Sequence, residues 1–318
     1  MSLLRFCYAG RPKTMAFTSS ISTCMGAGQN SPIVHEEPIG LDPTVALPTG
    51  YAQSKYISTL LPFTPTSSFT LSSKYNLKTI LIRSHFQVER ILQTASQPTR
   101  LNIPIHLLRV GQLTGSSRTG HWNIDEMFPI IFATSAHHSM RALPVFPSEK
   151  RVDWIPVDIA ASTIGEIILS QASQGKHSGE TNRENEKKYK QQEEAIYEVH
   201  NIVNPHSILW EQLLAMLQSS TLSSQTATQK LELIPLKTWV SRLTALAERG
   251  TDTKDVPGLR LLGFFEDMVP SSSSGEETKI FETAKSEKLS EALRGCEAVN
   301  GEWVERWIGR WREGGFIS

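Results

Sequence analysis

Residues 50–56 read "GYAQSKY", a tyrosine four residues before a lysine with small side chains between them. On a helix, Tyr51 and Lys55 share one face. A free phenol titrates at about 10 and is a poor proton donor at neutral pH. An ammonium one turn away stabilises the phenolate and lowers that value. The pair can therefore be a tuned general acid with its tuner. Tyr-x-x-x-Lys also arises by chance on many helices, so the flanking sequence decides the reading.

Upstream, "SLLRFCYAG" (2–10) reads as the end of an amphipathic helix closed by Gly10, followed by the turn "RPK". "TMAFTSSIS" (14–22) then reads as a short buried strand that carries Ser19 and Ser20. No acidic residue precedes Glu36, and residues 1–24 are rich in Ser, Thr and basic side chains. That composition resembles an organelle transit peptide, against which stands the helix–turn–strand pattern. Residues 27–49 are a Gly/Pro/Asn/Asp-rich loop, and a helix is expected to start near Gly50. Residues 57–85 hold Pro62, Pro65 and many Ser and Thr, with an apolar run only at "TILI".

Downstream, "FQVERILQTAS" (86–96) has helical apolar spacing at Val88, Ile91, Leu92 and Ala95. "IPIHLLRV" (103–110) predicts a buried strand running into a Gly-rich loop over 111–125, and 126–140 a helix. "RVDWIPV" (151–157) is strand-like, and Asp158 is placed to cap the helix "IAASTIGEIILSQAS". The polar stretch 173–194 predicts a disordered insert. "IYEVHNIVNP" (196–205) is a further strand, with Ser207 as cap of the next helix. "KLELIPL" is a short strand ended by Pro235, and the remainder is helical with breaks at "TDTKDVPG" and "VPSSSSGEE". Strands alternating with helices imply a parallel sheet; the helix-rich tail implies an appended subdomain.

Composition narrows the function classes. The chain has 318 residues, 39% hydrophobic and 20% charged, as folded globular domains do. Lys+Arg and Asp+Glu are 32 each, which leaves no electrostatic footprint for nucleic acid or an anionic membrane. Cys7, Cys24 and Cys296 are scattered without metal-ligand spacing. They point to a reducing, cytoplasmic setting and no zinc site, and no metal ligand is assigned. No apolar run approaches a membrane span.

A strand with a terminal Ser, then Tyr-x-x-x-Lys, then a strand with a Gly-rich exit resembles the extended short-chain dehydrogenase/reductases. "PTGYAQSKY", "VERIL", "LRVGQLTGSSRTGHWN", "VDWIPVD", "VHNIVNP" and "WVERWIGRWREGGFI" are similar to the thioester reductase domain of fungal carboxylic acid reductases, aminoadipate reductases and related peptide-synthetase-like enzymes. The resemblance implies a Rossmann-like, doubly wound parallel sheet (here without its first strands) and a mainly helical substrate subdomain. It implies a core over 1–172, the polar insert at 173–194, and a last core strand with the subdomain over 195–318. Tyr51 matches the general acid, Lys55 the residue that lowers its pKa and holds the cofactor ribose, and Ser20 the hydroxyl on the substrate carbonyl. Ser19 is the alternative to Ser20. Val110, Gly111 and Gln112 match the segment beside the nicotinamide. Trp122 and Asn123 match the mouth of the substrate cleft, with a loop-anchoring role as the competing reading. The implied cofactor is NADPH, and the implied partner is a phosphopantetheinyl carrier domain bearing an acyl thioester.

Two features depart from that family. It opens with strand, G-x-x-G-x-x-G, helix, a turn that brings backbone amides to the cofactor pyrophosphate. No such turn precedes Ser20, and "GAGQNS" (26–31) lacks the third glycine. The expectation is a reductase core truncated before Met1, with little activity and negligible NADPH affinity alone. Residues 57–85 also interrupt a helix that runs on in relatives. The competing readings are another extended reductase or epimerase, and a non-catalytic remnant that binds a carrier domain.

Overall fold

The computed structural model describes residues 3–10, 13–24, 31–38, 88–97, 100–146, 150–174, 197–220, 230–269 and 278–317. In chain order the elements are α1 (Leu3–Tyr8), β1 (Met15–Ser20), β2 (Ile33–Val34), α2 (88–96), β3 (Ile105–Val110), β4 (Leu113–Thr114), α3 (Met127–Ala136), β5 (Ala142–Val145), β6 (Arg151–Val152), β7 (Ile155–Pro156) and α4 (Val157–Gln174). They continue with β8 (Tyr197–Ile202), β9 (Ile208–Leu209), α5 (Trp210–Ser219), β10 (Glu232–Pro235), α6 (Leu236–Glu248), α7 (Leu262–Met268), β11 (Ile280–Phe281), α8 (Ala284–Leu289), α9 (Glu291–Arg294) and α10 (Gly301–Glu313). The segments 39–50, 51–87 and 175–196 lie outside the described residues, and with them the expected helix at Gly50, the insert at 57–85 and most of the polar stretch 173–194.

The chain divides into two compact units. One comprises Met1–Gly111, Ala160–Val203 and Lys279–Arg294; the other comprises Gln112–Ile159, Asn204–Thr278 and Gly295–Ser318.

In the first unit, β1, β3 and β8 form a parallel sheet in the order β1-β3-β8. Central β3, "IHLLRV", is buried at Ile105 through Arg109, as a parallel strand covered on both faces must be. On one face, Leu92 and Ala95 of α2 form a core with Cys7, Ile103 and Ile105, joined by Met15, Phe17 and Tyr197. Gly10 closes α1 at φ 76°, a left-handed position that glycine adopts without Cβ strain. β2 and β11 pair in parallel beside α8. The buried Glu36 carboxylate accepts from the backbone N–H groups of Lys285 (2.6 Å) and Ser286 (3.2 Å), satisfying donors that the start of α8 leaves open.

The second unit is built on aromatic packing. Trp154, Trp210, Trp239, Trp303, Trp307 and Trp311 are all buried. The Trp210 indole N–H donates to the Pro144 carbonyl (3.1 Å), and that of Trp239 to the Ala142 carbonyl (3.0 Å). In α10 the buried Trp303, Val304, Trp307, Ile308 and Trp311 form one helical stripe. Asn300 caps that helix by accepting from the Trp303 N–H at 3.0 Å.

Two capping expectations are corrected. Asp158 lies inside the first turn of α4, and its carboxylate accepts from the Ser117 N–H (2.9 Å) and hydroxyl (2.8 Å). Ser207 accepts from Arg151 (2.8 Å), and α5 starts three residues later behind Leu209. In both cases a partner distant in sequence takes the short polar side chain. "RVDWIPV" is likewise two short strands, because β6 and β7 pair with different partners, β9 and β4.

The loop "GQLTGSSRTGHWN" is seated by glycine. Gly120 has φ 68°, and a Cβ there would lie 2.5 Å from the Arg306 carbonyl oxygen of α10. A Cβ on Gly115 would lie 2.7 Å from the Gly120 carbonyl oxygen. Gly120→Ala combines a left-handed backbone with a clash against backbone, and is expected to cost about 3 kcal/mol or more. Chemical denaturation measures it; an unchanged midpoint would mean that the loop does not rest on α10.

Candidate active site

Adjacent residues on a strand face opposite sides of the sheet. Ser19 and Ser20, at the C-terminal end of β1, therefore have different surroundings. Ser19 is registered with Arg109 and Ser20 with Val110. Ser19 is buried, and its hydroxyl donates to Oε1 of Glu89 in a short hydrogen bond. Thr23 donates to the same oxygen at 3.0 Å. The guanidinium of Arg109, 1% exposed, donates to Glu89 Oε2 (3.2 Å) and to the Glu37 carbonyl (3.1 Å). A buried ion pair thus fixes the Ser19 side of the strand end.

Ser20 is half-buried and accepts from the Ser22 N–H at 3.2 Å, capping the 3-10 turn Ile21–Thr23. A hydroxyl that accepts keeps its own proton for donation. Of the two serines, Ser20 is the one whose proton is not committed to Glu89. Tyr51 and Lys55 lie outside the described residues.

Two other groups near β1 are unsuited to acid–base work. Burial raises the Cys24 thiol to about 11, which makes it an inert core side chain. The Tyr197 phenol donates to the Glu89 carbonyl (3.1 Å), and burial, followed by the Glu89 charge, pushes its pKa upward.

Val110 ends β3 beside Ser20. The Gly111 N–H donates to the Ile202 carbonyl (2.9 Å), and a Cβ on Gly111 would lie 2.7 Å from Cγ1 of Val203, so the strand exit leaves little room for a side chain. In the other unit, the Gln112 amide donates to the Leu113 carbonyl (2.7 Å) and to Glu126 (3.4 Å). Trp122 is 3% exposed, donates to Glu126 (3.1 Å) and meets Trp154, Trp307 and Trp311 edge-on or tilted. Asn123 is exposed, and its side chain accepts from the Asp125 N–H at 3.1 Å.

Glu89 and Arg109 were not singled out from the sequence. Their signal was present: an arginine inside the buried strand "IPIHLLRV" requires a carboxylate nearby, and "VERIL" carries one on an apolar helix face.

The profile of the male sterility protein family, an NAD-binding domain, matches residues 1–164. The chain belongs to the male sterility protein family. Clavatol synthase of Penicillium crustosum is 28% identical over 232 residues, which are 72% of this chain and 8% of that synthase. This male sterility family chain therefore spans a small part of that relative's length. Among solved structures, the terminal R domain of the myxalamid biosynthetic pathway superposes with a TM-score of 0.63 at 21% identity, covering 99% of this chain and 62% of that one. A thiolation-reductase di-domain of an archaeal non-ribosomal peptide synthetase gives 0.54 at 16%, covering 99% and 52%. At these identities the likeness is one of fold. The α/β fold with parallel strands is the one the motifs implied.

Proposed function

We propose that the chain carries the chemistry of NADPH-dependent reductive release, in which an acyl thioester on a phosphopantetheine arm leaves as an aldehyde, or as an alcohol after a second reduction. The observation that carries the reading is Ser20. It sits at the C-terminal end of a parallel strand, where open α/β sheets place their ligands, and its hydroxyl proton is not committed to the buried pair that holds Ser19.

Ser20 donates to the thioester carbonyl oxygen and orients it. Lys55 holds the Tyr51 phenol near the operating pH, and Tyr51 delivers its proton to that oxygen as charge develops. The resulting hemithioacetal expels the pantetheine thiol and leaves the aldehyde. A hydroxyl, a phenol and an ammonium fit the nicotinamide end of NADPH, which when bound supplies the hydride. No residue is assigned to its pyrophosphate, since no G-x-x-G-x-x-G turn occurs in the 318 residues. The partner is a carrier domain, in keeping with a fold shared with a thiolation-reductase di-domain.

The test offers a carrier-bound acyl thioester and NADPH to residues 1–318, and to the same residues placed behind a first half that contains the glycine turn. Aldehyde and cofactor oxidation are followed together. Ser20→Ala is expected to lower turnover about 10²-fold without loss of fold, as removal of one oxyanion donor does. Ser19→Ala is expected to lower stability and leave turnover per folded molecule close to that of the parent. Equal turnover in Ser20→Ala and the parent would remove Ser20 from the site.

A further inference from the structure

The face of the sheet that carries Ser20 also carries three ligating side chains near its other end. His106 on β3 is registered with Glu198 on β8, and His200 lies two residues beyond Glu198, so all three point from the same face. His106 and His200 are 1% and 0% exposed, and Glu198 is 31% exposed. Nδ1 of His106 lies 3.4 Å from Nε2 of His200 and 3.4 Å from Oε2 of Glu198. Nε2 of His200 lies 3.5 Å from the same Glu198 oxygen. The three atoms form a nearly equilateral triangle.

That triangle has the size of a tetrahedral face. Imidazole nitrogen and carboxylate oxygen bind zinc at about 2.0–2.1 Å, which sets neighbouring ligands about 3.3–3.4 Å apart. The edges are longer than the usual hydrogen-bond distance of about 2.7–3.2 Å, and His200 beside it holds the Glu198 carboxyl below its ordinary range. The surroundings of His200 also leave the correct nitrogen free to ligate. The Ser286 hydroxyl donates to the buried Glu36 carboxylate, so it offers a lone pair to Nδ1 of His200, 3.3 Å away. An Nδ1 proton donated to Ser286 would turn the Nε2 lone pair of His200 towards His106 and Glu198. A ligating histidine whose other nitrogen is held by an acceptor backed by a carboxylate is the usual outer arrangement of metal sites.

We propose that His106, Glu198 and His200 bind one divalent transition-metal ion of the zinc type. Two imidazoles and one carboxylate suit zinc, whereas calcium and magnesium prefer oxygen ligands throughout. The partly exposed Glu198 marks the side from which the ion enters and a water completes the tetrahedron. His106 is four residues before Val110, about 13 Å along the strand, so the ion is remote from Ser20. Its role is to staple β3 to β8 and, through His200, Ser286 and Glu36, to the start of α8. Cysteine spacing spoke only to thiolate zinc sites and could not register this one.

The full 318-residue chain without an affinity tag is equilibrated with zinc, desalted and analysed for metal. Cobalt(II) is used in parallel, because a tetrahedral nitrogen–oxygen site gives it intense visible absorption. The expected result is one zinc per chain, a tetrahedral cobalt spectrum and a higher melting temperature with zinc. Glu198→Gln keeps size and hydrogen bonding, and is expected to lose the cobalt spectrum and weaken zinc binding about 100-fold or more, with unchanged circular dichroism. His106→Asn is expected to do the same. Absence of retained zinc in the parent chain, or equal zinc in the parent and both variants, would overturn the proposal.

Discussion

Replacing Tyr51 by phenylalanine is expected to lower aldehyde release by about 10²–10⁴-fold while leaving the fold intact, since that is the usual contribution of one positioned proton donor. The loss is expected on the chemical step, because only the phenolic hydroxyl is removed. Lys55→Met is expected to act differently. On the proposed reading the phenol then loses its neighbouring positive charge, and the rate maximum is expected to move to higher pH. A pH–rate profile on a carrier-bound thioester separates the two variants. Unchanged turnover in Tyr51→Phe would show that the tyrosine is a structural residue of a surface helix, and the reductive reading would fall with it.

The second large effect concerns stability. Glu89→Ala leaves the Arg109 guanidinium, 1% exposed, without its carboxylate, and removes the acceptor shared by Ser19 and Thr23. Breaking a buried pair from one side costs about 3–5 kcal/mol, because the remaining charge is uncompensated in a poorly solvating interior. Urea denaturation of the parent, Glu89→Ala, Arg109→Met and the double variant forms a thermodynamic cycle. The double variant is expected to be more stable than Glu89→Ala alone, because it no longer buries an unpaired ion. A Glu89→Ala midpoint within experimental error of the parent would mean that the pair is solvated and that Ser19 is positioned by the strand alone.

Sequence by itself determined the central strand, the helix at 88–96 and the family. The apolar run "IPIHLLRV" and the helical spacing of "VERIL" depend on residues a few positions apart, whereas "TMAFTSSIS" was legible as a strand but not as the partly exposed one it is, buried only at Ser19. Side-chain direction within one strand or helix is set by its period alone, so those patterns were legible. Only the tertiary structure decided which of two adjacent serines is held by the buried Glu89–Arg109 pair, since that depends on both residues reaching Ser19 from other elements. Only it turned Asp158 and Ser207 from caps into partners of Ser117 and Arg151. Only it brought His106 against Glu198 and His200, from two strands that are neighbours in the sheet and far apart in the chain. The physical reason is common to all three. A short polar or ionisable side chain binds whichever group the packed backbone brings within about 3 Å, and chain order does not record that distance.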